Sequence, residues 1–498
     1  MELMRSMGKE FCRQGISRSS TDCGSGFGAE QDPVWTLSQV LLATGGRFVS
    51  GAPEARFRSI STDTRTLERG DLFLALAGDH FDGRQFVKEA ISKGAAGLIV
   101  ASLVDEELHV HVPVVLVEDP LRALGDLAAY RRALMNNLQV IAITGSSGKT
   151  TVKEMCATIL KEEYNVLKTE GNFNNLIGMP LTLLRVNAHH DVAVLEMGMN
   201  RPGEIARMTE IADPDIACII NIQGAHLAGL HSIDGVARAK GELFQGGKSW
   251  ARLCVNVDDK RVRALARNCS QEKITFGQER HAFVRATHIK NLGEEGVAFT
   301  LHIGNESVRL QLRSLGEHNV NNALAAAAMA YAAGVKTEQI AQGLMAFKPY
   351  DKRLQIETAG GLKIVNDCYN ANPASMHAAL DTLMGMKKNR KCVAILGDML
   401  ELGEESDAAH RRLGETAACK GVDYLFVYGQ FARKVVEGAL DARMTMKQVK
   451  QAESKEEITE AIVRLVTLGE LTQGDLLLVK GSRGMRMETI IEQLRKRL

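Results

Sequence analysis

Lys149 and Thr150 sit where a buried-strand pattern gives way to a helical one, in Ile141-Ala-Ile-Thr-Gly-Ser-Ser-Gly-Lys-Thr-Thr151. Apolar residues run through 138–143, and two glycines and two serines then make a tight turn. After it Val152, Met155, Cys156, Ile159 and Leu160 recur at helical spacing. A strand, a glycine-rich turn and a helix start form a phosphate cradle, because backbone N–H groups and the positive end of the helix dipole face the anion. In such a cradle Lys149 reaches the terminal phosphates and the Thr150 hydroxyl holds Mg2+. Gly145, Ser146, Ser147, Gly148 and Thr151 complete the nucleotide-binding set. The usual loop has about four residues between its glycines. Gly145 and Gly148 enclose only Ser146 and Ser147, so this is a shortened variant. A plain strand-to-helix turn would share the glycines but has no need of the lysine.

Other side chains along the chain have types and positions suited to chemistry. Asp191-Val-Ala-Val-Leu-Glu-Met-Gly198 reads as a buried parallel-type strand ending in a carboxylate. Open α/β sheets bind ligands at the carboxyl ends of their strands. A Glu closing an apolar run is costly unless paired or metal-bound, which makes Glu196 a candidate metal ligand. His226, in Gln223-Gly-Ala-His226 beyond the strand 215–221, reads equally as a ligand or as a hydrogen-bonded bystander. Lys240, in Arg238-Ala-Lys-Gly-Glu242, reads on spacing alone as a solvated helix lysine. Asn172, Asn174 and Asn175 share the loop Thr169-Glu-Gly-Asn-Phe-Asn-Asn-Leu-Ile-Gly-Met-Pro180. Their amides suit a polar substrate, or an Asx turn. Asp63 and Arg65 are either a functional pair or a salt bridge tethering a strand end. Asn319 opens an Ala-rich helix, where capping is its simplest role. Arg353 and Asp367 lie nearest a domain junction, which they could simply bridge.

These groups need an α/β frame. At 498 residues the chain is too long for one core, and two to four domains are expected. Three α/β blocks are legible: a small one over 34–136, a central one over 137–348 and a Rossmann-like one over 349–498, after the break at Pro349. In the first, 69–78 reads as a strand closed by Gly78, with a turn at Asp82-Gly83. In the second, the region from Asp258 to about Gly316 reads as strand pairs. In the third, strands end in polar, glycine-bearing loops, as in a doubly wound sheet whose strand ends face a ligand. Residues 1–33 read as a disordered extension without a secretory signal. The net charge of +1 gives no argument for a nucleic-acid or membrane surface. No apolar run is long enough to span a bilayer. Nine scattered cysteines without a C-x-x-C pair fit a reducing, cytoplasmic setting and no zinc site. The sum is an ATP-using enzyme whose flanking domains close over the phosphates.

Together these pieces resemble the ATP-dependent Mur ligases. The resemblance runs over about 59–486 and rests on Thr144-Gly-Ser-Ser-Gly-Lys-Thr-Thr151, Gly171-Asn-Phe-Asn-Asn-Leu-Ile-Gly178, Glu196-Met-Gly198, Ala225-His226, Ala239-Lys240, His318-Asn319, Asp367-Cys-Tyr-Asn-Ala-Asn-Pro373 and Gly397-Asp-Met-Leu-Glu-Leu-Gly403. The short phosphate loop is the family's usual form. The resemblance is strongest to members that join D-alanyl-D-alanine to UDP-MurNAc-tripeptide through an acyl phosphate, using ATP and two Mg2+ ions. It implies that Lys149, Glu196, His226 and Lys240 are catalytic, with Thr150, Glu196, His226 and a CO2-carbamylated Lys240 holding metal. It further implies that Asn319, Arg353 and Asp367 contact ATP, that Asp63 and Arg65 contact the uridine nucleotide, and that Asn172, Asn174 and Asn175 lie near the sugar-peptide. Many members have two acidic residues where this chain has Asn366-Asp367, so only Asp367 carries over. A monomer is expected, with no nucleic-acid partner and no membrane insertion. Three alternatives remain: a ligase adding diaminopimelate or lysine, although its Asp-Asn-Pro-Arg motif is missing; a folate polyglutamylating ligase; and a catalytically silent nucleotide-binding scaffold.

Overall fold

The computed structural model describes residues 34–78, 81–103, 112–224, 227–230, 232–349 and 352–498, with the backbone alone at 81, 227 and 228. The expected extension over 1–33 and His226 lie outside the described residues. The chain divides into two compact units. One comprises the residues up to Val140 with Leu167–Leu195 and Arg207–Asp213, and the other comprises the remainder.

In the first unit a five-stranded sheet runs in the order Arg47–Ser50, Val114–Leu116, Gly97–Val100, Leu72–Leu74, Ile60–Ser61. The first pair is antiparallel and the rest are parallel. Its central strands are wholly buried, as a sheet covered on both faces requires. Helix Pro120–Leu134 starts sharply because Asp119 accepts from the amides of Leu121 and Arg122 and proline takes the first turn. The strand expected over 69–78 is interrupted. Ala77–Gly78 pairs separately with Phe81–Asp82, and Asp82 accepts from the Arg84 amide to open a 3-10 helix at Gly83 rather than making a turn.

The second unit contains two sheets. In one, Ile216–Ile219 runs parallel to residues of Gln139–Thr144, and Arg252–Asn256, Glu272–Gly277 and Val284–Asn291 follow in parallel. Val297–Ile303 and Glu306–Leu312 then add as an antiparallel meander. The region after Asp258 is therefore not all strand pairs. Asp259 caps helix Lys260–Arg267, and the parallel strand Glu272–Gly277 follows before the meander begins. Helix His318–Ala332 is lined with buried alanines, whose small side chains let it pack close to helix Lys149–Leu160.

The other sheet runs Gln355–Ala359, Leu362–Asp367, Leu476–Lys480, Cys392–Gly397, Tyr424–Tyr428, Val449–Ala452. Its first strand is antiparallel and the others are parallel. Separate apolar clusters cover it, one built on Val365, Leu396 and Leu478 and one on Ile364, Ile395 and Val479. Alternate residues of one strand feeding opposite clusters define a doubly wound sheet. Among the described residues no helix is long and apolar enough to cross a membrane.

Candidate functional site

The strand Gln139–Thr144 and the helix Lys149–Leu160 hold the expected loop between them. Gly148, the residue before the helix, has φ +80°, and a Cβ there would meet Asn322 Oδ1 at 2.4 Å. Only glycine fits both constraints. The loop is laced to the segment after Ile216–Ile219. The Ser146 and Ser147 amides donate to Asn221 Oδ1 at 3.1 and 3.0 Å. The two serine hydroxyls donate to the Gln223 carbonyl and Gln223 Oε1 at 2.9 and 3.0 Å. The amides left to face an anion are therefore those that open the helix, which have no intrahelical acceptor. Lys149 folds back and donates to the Gly145 carbonyl at 2.8 Å. Burial pushes its pKa down, the Glu196 charge opposes that shift and Arg353 adds to it.

Thr150 is the junction of the site. Its hydroxyl donates to Glu196 Oε2 at 3.0 Å and accepts from Arg353 Nη2 at 2.9 Å. Glu196 closes the strand Val192–Glu196 and is 2% exposed. Lys153, one helical turn beyond Lys149, is fully buried. Its Nζ lies 3.3 Å from Glu154 Oε1 and 3.8 Å from Glu196 Oε2. The Arg353 guanidinium lies 3.9 Å over the Tyr369 ring. Lys352 and Leu354, on either side of it, have φ +56° and +50°. Left-handed backbone at two such residues costs energy and persists where the surroundings enforce it, often at functional sites.

Lys240 is not solvated. It is 1% exposed on helix Ile233–Gln245, and burial together with the nearby Lys149 charge pushes its pKa well below the ordinary lysine value. Asn319 does not cap its helix. Its Nδ2 donates to the Leu315 carbonyl and its Oδ1 accepts from Asn322 Nδ2, each at 2.7 Å, so Asn319 supports the residue that touches Gly148. Asp367 ends its strand 2.5 Å from the buried Lys480 Nζ, which also donates to the Asn370 carbonyl.

In the first unit Asp63 and Arg65 form a closed pair. The guanidinium donates at 2.9 and 2.6 Å and the Arg65 amide at 2.9 Å, which holds the Asp63 carboxyl below the usual carboxylate range. Asn175 Oδ1 accepts from the Ile177 and Gly178 amides and starts helix Gly178–Leu184. Asn172 is exposed in the same loop, and its carbonyl accepts from the Asn174 amide at 2.7 Å.

Among the described residues no three His, Cys, Asp or Glu side chains cluster as a metal site. A hydroxyl and a carboxylate in contact are nevertheless hard oxygen donors. They suit Mg2+, which takes few protein ligands and keeps waters or phosphates for the rest. Lys153, Asn221, Gln223, Tyr369 and Lys480 join the site without a motif that marks them in the sequence. Two signals were available: Lys149 and Lys153 share one helix face, and Asn221 and Lys480 sit at or just past the ends of buried strands, as Glu196 does.

Residues 56–132 match the model described as Mur ligase family, catalytic domain. Residues 143–330 match the Mur ligase middle domain, and 352–483 match the Mur ligase, glutamate ligase domain. A UDP-N-acetylmuramoyl-tripeptide--D-alanyl-D-alanine ligase of Bacillus subtilis is 38% identical over 437 residues, 87% of this chain and 92% of that one. Its Escherichia coli counterpart is 37% identical over 474 residues, covering 93% and 98%. A crystal structure of MurF from Acinetobacter baumannii aligns with TM-score 0.87 at 35% identity, covering 94% and 100% of the two chains. A MurF ligase from Thermotoga maritima in complex with ADP aligns with TM-score 0.78 at 26% identity, covering 88% and 97%.

Proposed function

The chain belongs to the Mur ligase family, and from that premise we propose that it joins D-alanyl-D-alanine to a UDP-N-acetylmuramoyl-tripeptide with conversion of ATP to ADP and phosphate. The observation that carries the reading is Thr150, whose hydroxyl contacts both Glu196 and Arg353 at the start of the phosphate-loop helix. Relatives of 37–38% identity are named for this same reaction, which speaks against a ligase adding diaminopimelate or lysine.

In the proposed reaction an oxygen of the tripeptide's terminal carboxylate attacks the γ-phosphorus, and the bond to ADP breaks. The dipeptide amine then attacks the acyl carbon, phosphate leaves from the tetrahedral intermediate, and the amine's proton is lost. A carboxylate is a poor electrophile, and phosphate supplies the leaving group. Lys149 and Arg353 bring positive charge to the anions gathered at the loop, where low dielectric makes it most effective. Thr150 and Glu196 are the residues that would hold Mg2+, which when bound neutralises charge on the phosphoryl group in transfer.

Lys240 fits a carbamate. Its buried amine loses its proton readily, the nitrogen bonds to the carbon of CO2, and a proton is released as the cation becomes an anion. Together with His226 that anion would serve a second Mg2+. Asn319 is assigned to adenine, Asp367 to ATP, Asp63 and Arg65 to uridine, and the Asn172–Asn175 loop to the sugar-peptide. The blocks 34–136, 137–348 and 349–498 are assigned to sugar-peptide binding, ATP binding and the Rossmann-like domain. A cytoplasmic monomer suffices for this chemistry.

The test is phosphate release from ATP with UDP-MurNAc-tripeptide, adding D-alanyl-D-alanine or diaminopimelate in turn. Release that requires the dipeptide is expected. Release with diaminopimelate alone, or with neither amine, overturns the reading.

A further inference from the structure

Three lysines are buried among the described residues: Lys153 at 0% exposure, Lys240 at 1% and Lys480 at 2%. Lys240 has a part in the proposed chemistry and Lys480 holds Asp367. Lys153 has no such task. Burying an ammonium costs several kcal/mol unless it is paired, and helix packing alone would be served by leucine or methionine at that position. The carboxylates beside it account for the choice. Glu154 Oε1 is 3.3 Å away and Glu196 Oε2 is 3.8 Å away. That same Glu196 oxygen accepts the Thr150 hydroxyl at 3.0 Å. One oxygen of Glu196 is thus approached from two places on the helix Lys149–Leu160, by a hydroxyl in its first turn and by an ammonium in its second.

We propose that Lys153 is a positioning residue for Glu196, fixing the carboxylate's orientation toward the cation that accompanies the nucleotide. The proposal rests on the ATP-dependent reading above. Lys153 is set back from the substrates and acts through Glu196, as partners of metal-binding carboxylates commonly do. Glu154 has a complementary part. It balances the Lys153 charge, so that the cluster of Lys153, Glu154 and Glu196 stays at one net negative charge.

The test uses the full chain and a non-hydrolysable ATP analogue, with calorimetric binding in Mg2+ and in EDTA. Lys153→Met alone removes the cation beside two buried carboxylates and risks misfolding. The double variant Lys153→Met with Glu154→Gln keeps the cluster's net charge, because it removes the ammonium together with the carboxylate charge that balances it. The double variant is expected to melt near wild type, to bind the analogue in EDTA as wild type does, and to lose about 10–100-fold of the affinity that Mg2+ confers, the range typical for removing a partner behind a metal ligand. Lys153→Arg, which keeps the charge but moves it, is expected to fall between the two. Wild-type Mg2+ enhancement in either variant overturns the proposal. A wild-type protein whose analogue affinity ignores Mg2+ overturns the ATP-dependent reading along with it.

Discussion

The Arg353 guanidinium donates to the Thr150 hydroxyl at 2.9 Å while its Cζ lies over the Tyr369 ring, 3.9 Å from the centroid. The guanidinium thus addresses the phosphate-loop helix and an aromatic ring at once. An ammonium cannot do both, because it has neither the planar fork nor the stacking face. Arg353→Lys is therefore expected to lower kcat for dipeptide-dependent phosphate release by about 100-fold, the scale seen when one preorganised charge donor is removed. Tyr369→Leu removes only the ring face, worth about 0.5–2 kcal/mol, and is expected to cost less than Arg353→Lys. A Tyr369→Leu enzyme with the wild-type rate would remove the stack from the mechanism.

Lys149 contributes little to the fold and much to the proposed chemistry. Its hydrogen bond to the Gly145 carbonyl lies within its own loop, and the loop is held independently by Asn221 and Gln223. Lys149→Ala is expected to reduce turnover about a thousandfold while shifting the melting temperature by no more than about 3 °C, which corresponds to roughly 1 kcal/mol. An active Lys149→Ala enzyme would show that the loop does not serve phosphate.

The local parts of this site were legible in the sequence and the convergent parts were not. Lys149 and Thr150 could be read because strand, turn and helix follow one another directly, and Glu196 because it closes a buried strand. Lys153 was invisible for the opposite reason. A mid-helix lysine is normally solvated, and its burial depends on a carboxylate delivered by a distant strand. Lys240 reads as solvated on spacing alone for the same reason, and its burial on helix Ile233–Gln245 corrects that reading. Asn175 and Asn319 show the converse. The amide of Asn175 suits a substrate contact or an Asx turn, and Asn319 reads as a helix cap to which the family resemblance adds an adenine contact, while much of their hydrogen bonding goes to a helix start and to Asn322. In the fold, the doubly wound sheet of the last block was legible from its polar strand ends. The parallel strand Glu272–Gly277 was hidden by the charged helix before it and the antiparallel meander after it.

Gly148 tests how tightly the loop is built. Alanine there must adopt φ +80° and place its Cβ 2.4 Å from Asn322 Oδ1. The backbone part alone costs of order 1–3 kcal/mol. Combining Gly148→Ala with Asn322→Ala removes the clash but not the unfavourable φ. Denaturation of the two single variants and the double is expected to show a coupling of about 0.5–3 kcal/mol, as for residues in contact. Additive single effects would mean that Asn322 yields freely, and that it does not set the loop's position.

Lys240 gives the pH-dependent prediction. Its pKa in the folded chain lies well below the ordinary value of 10.5, with burial as the main cause. Between those two values the unfolded chain binds the extra proton, so this group's contribution to stability rises with pH and is lost as pH falls through that window. The same sign governs carbamylation, because CO2 adds to the neutral amine and the fraction of neutral amine grows with pH. Enzyme depleted of CO2 is expected to lose activity, and bicarbonate is expected to restore it, more fully as rising pH deprotonates the buried amine. Lys240→Ala should be nearly inactive, and a small carboxylate should partly rescue it by supplying the missing negative charge. Rescue requires the variant to be folded, which near-ultraviolet dichroism would establish. A Lys240→Ala enzyme with the wild-type rate, or CO2 depletion without effect at any pH, would mean that this buried lysine works as an amine or not at all.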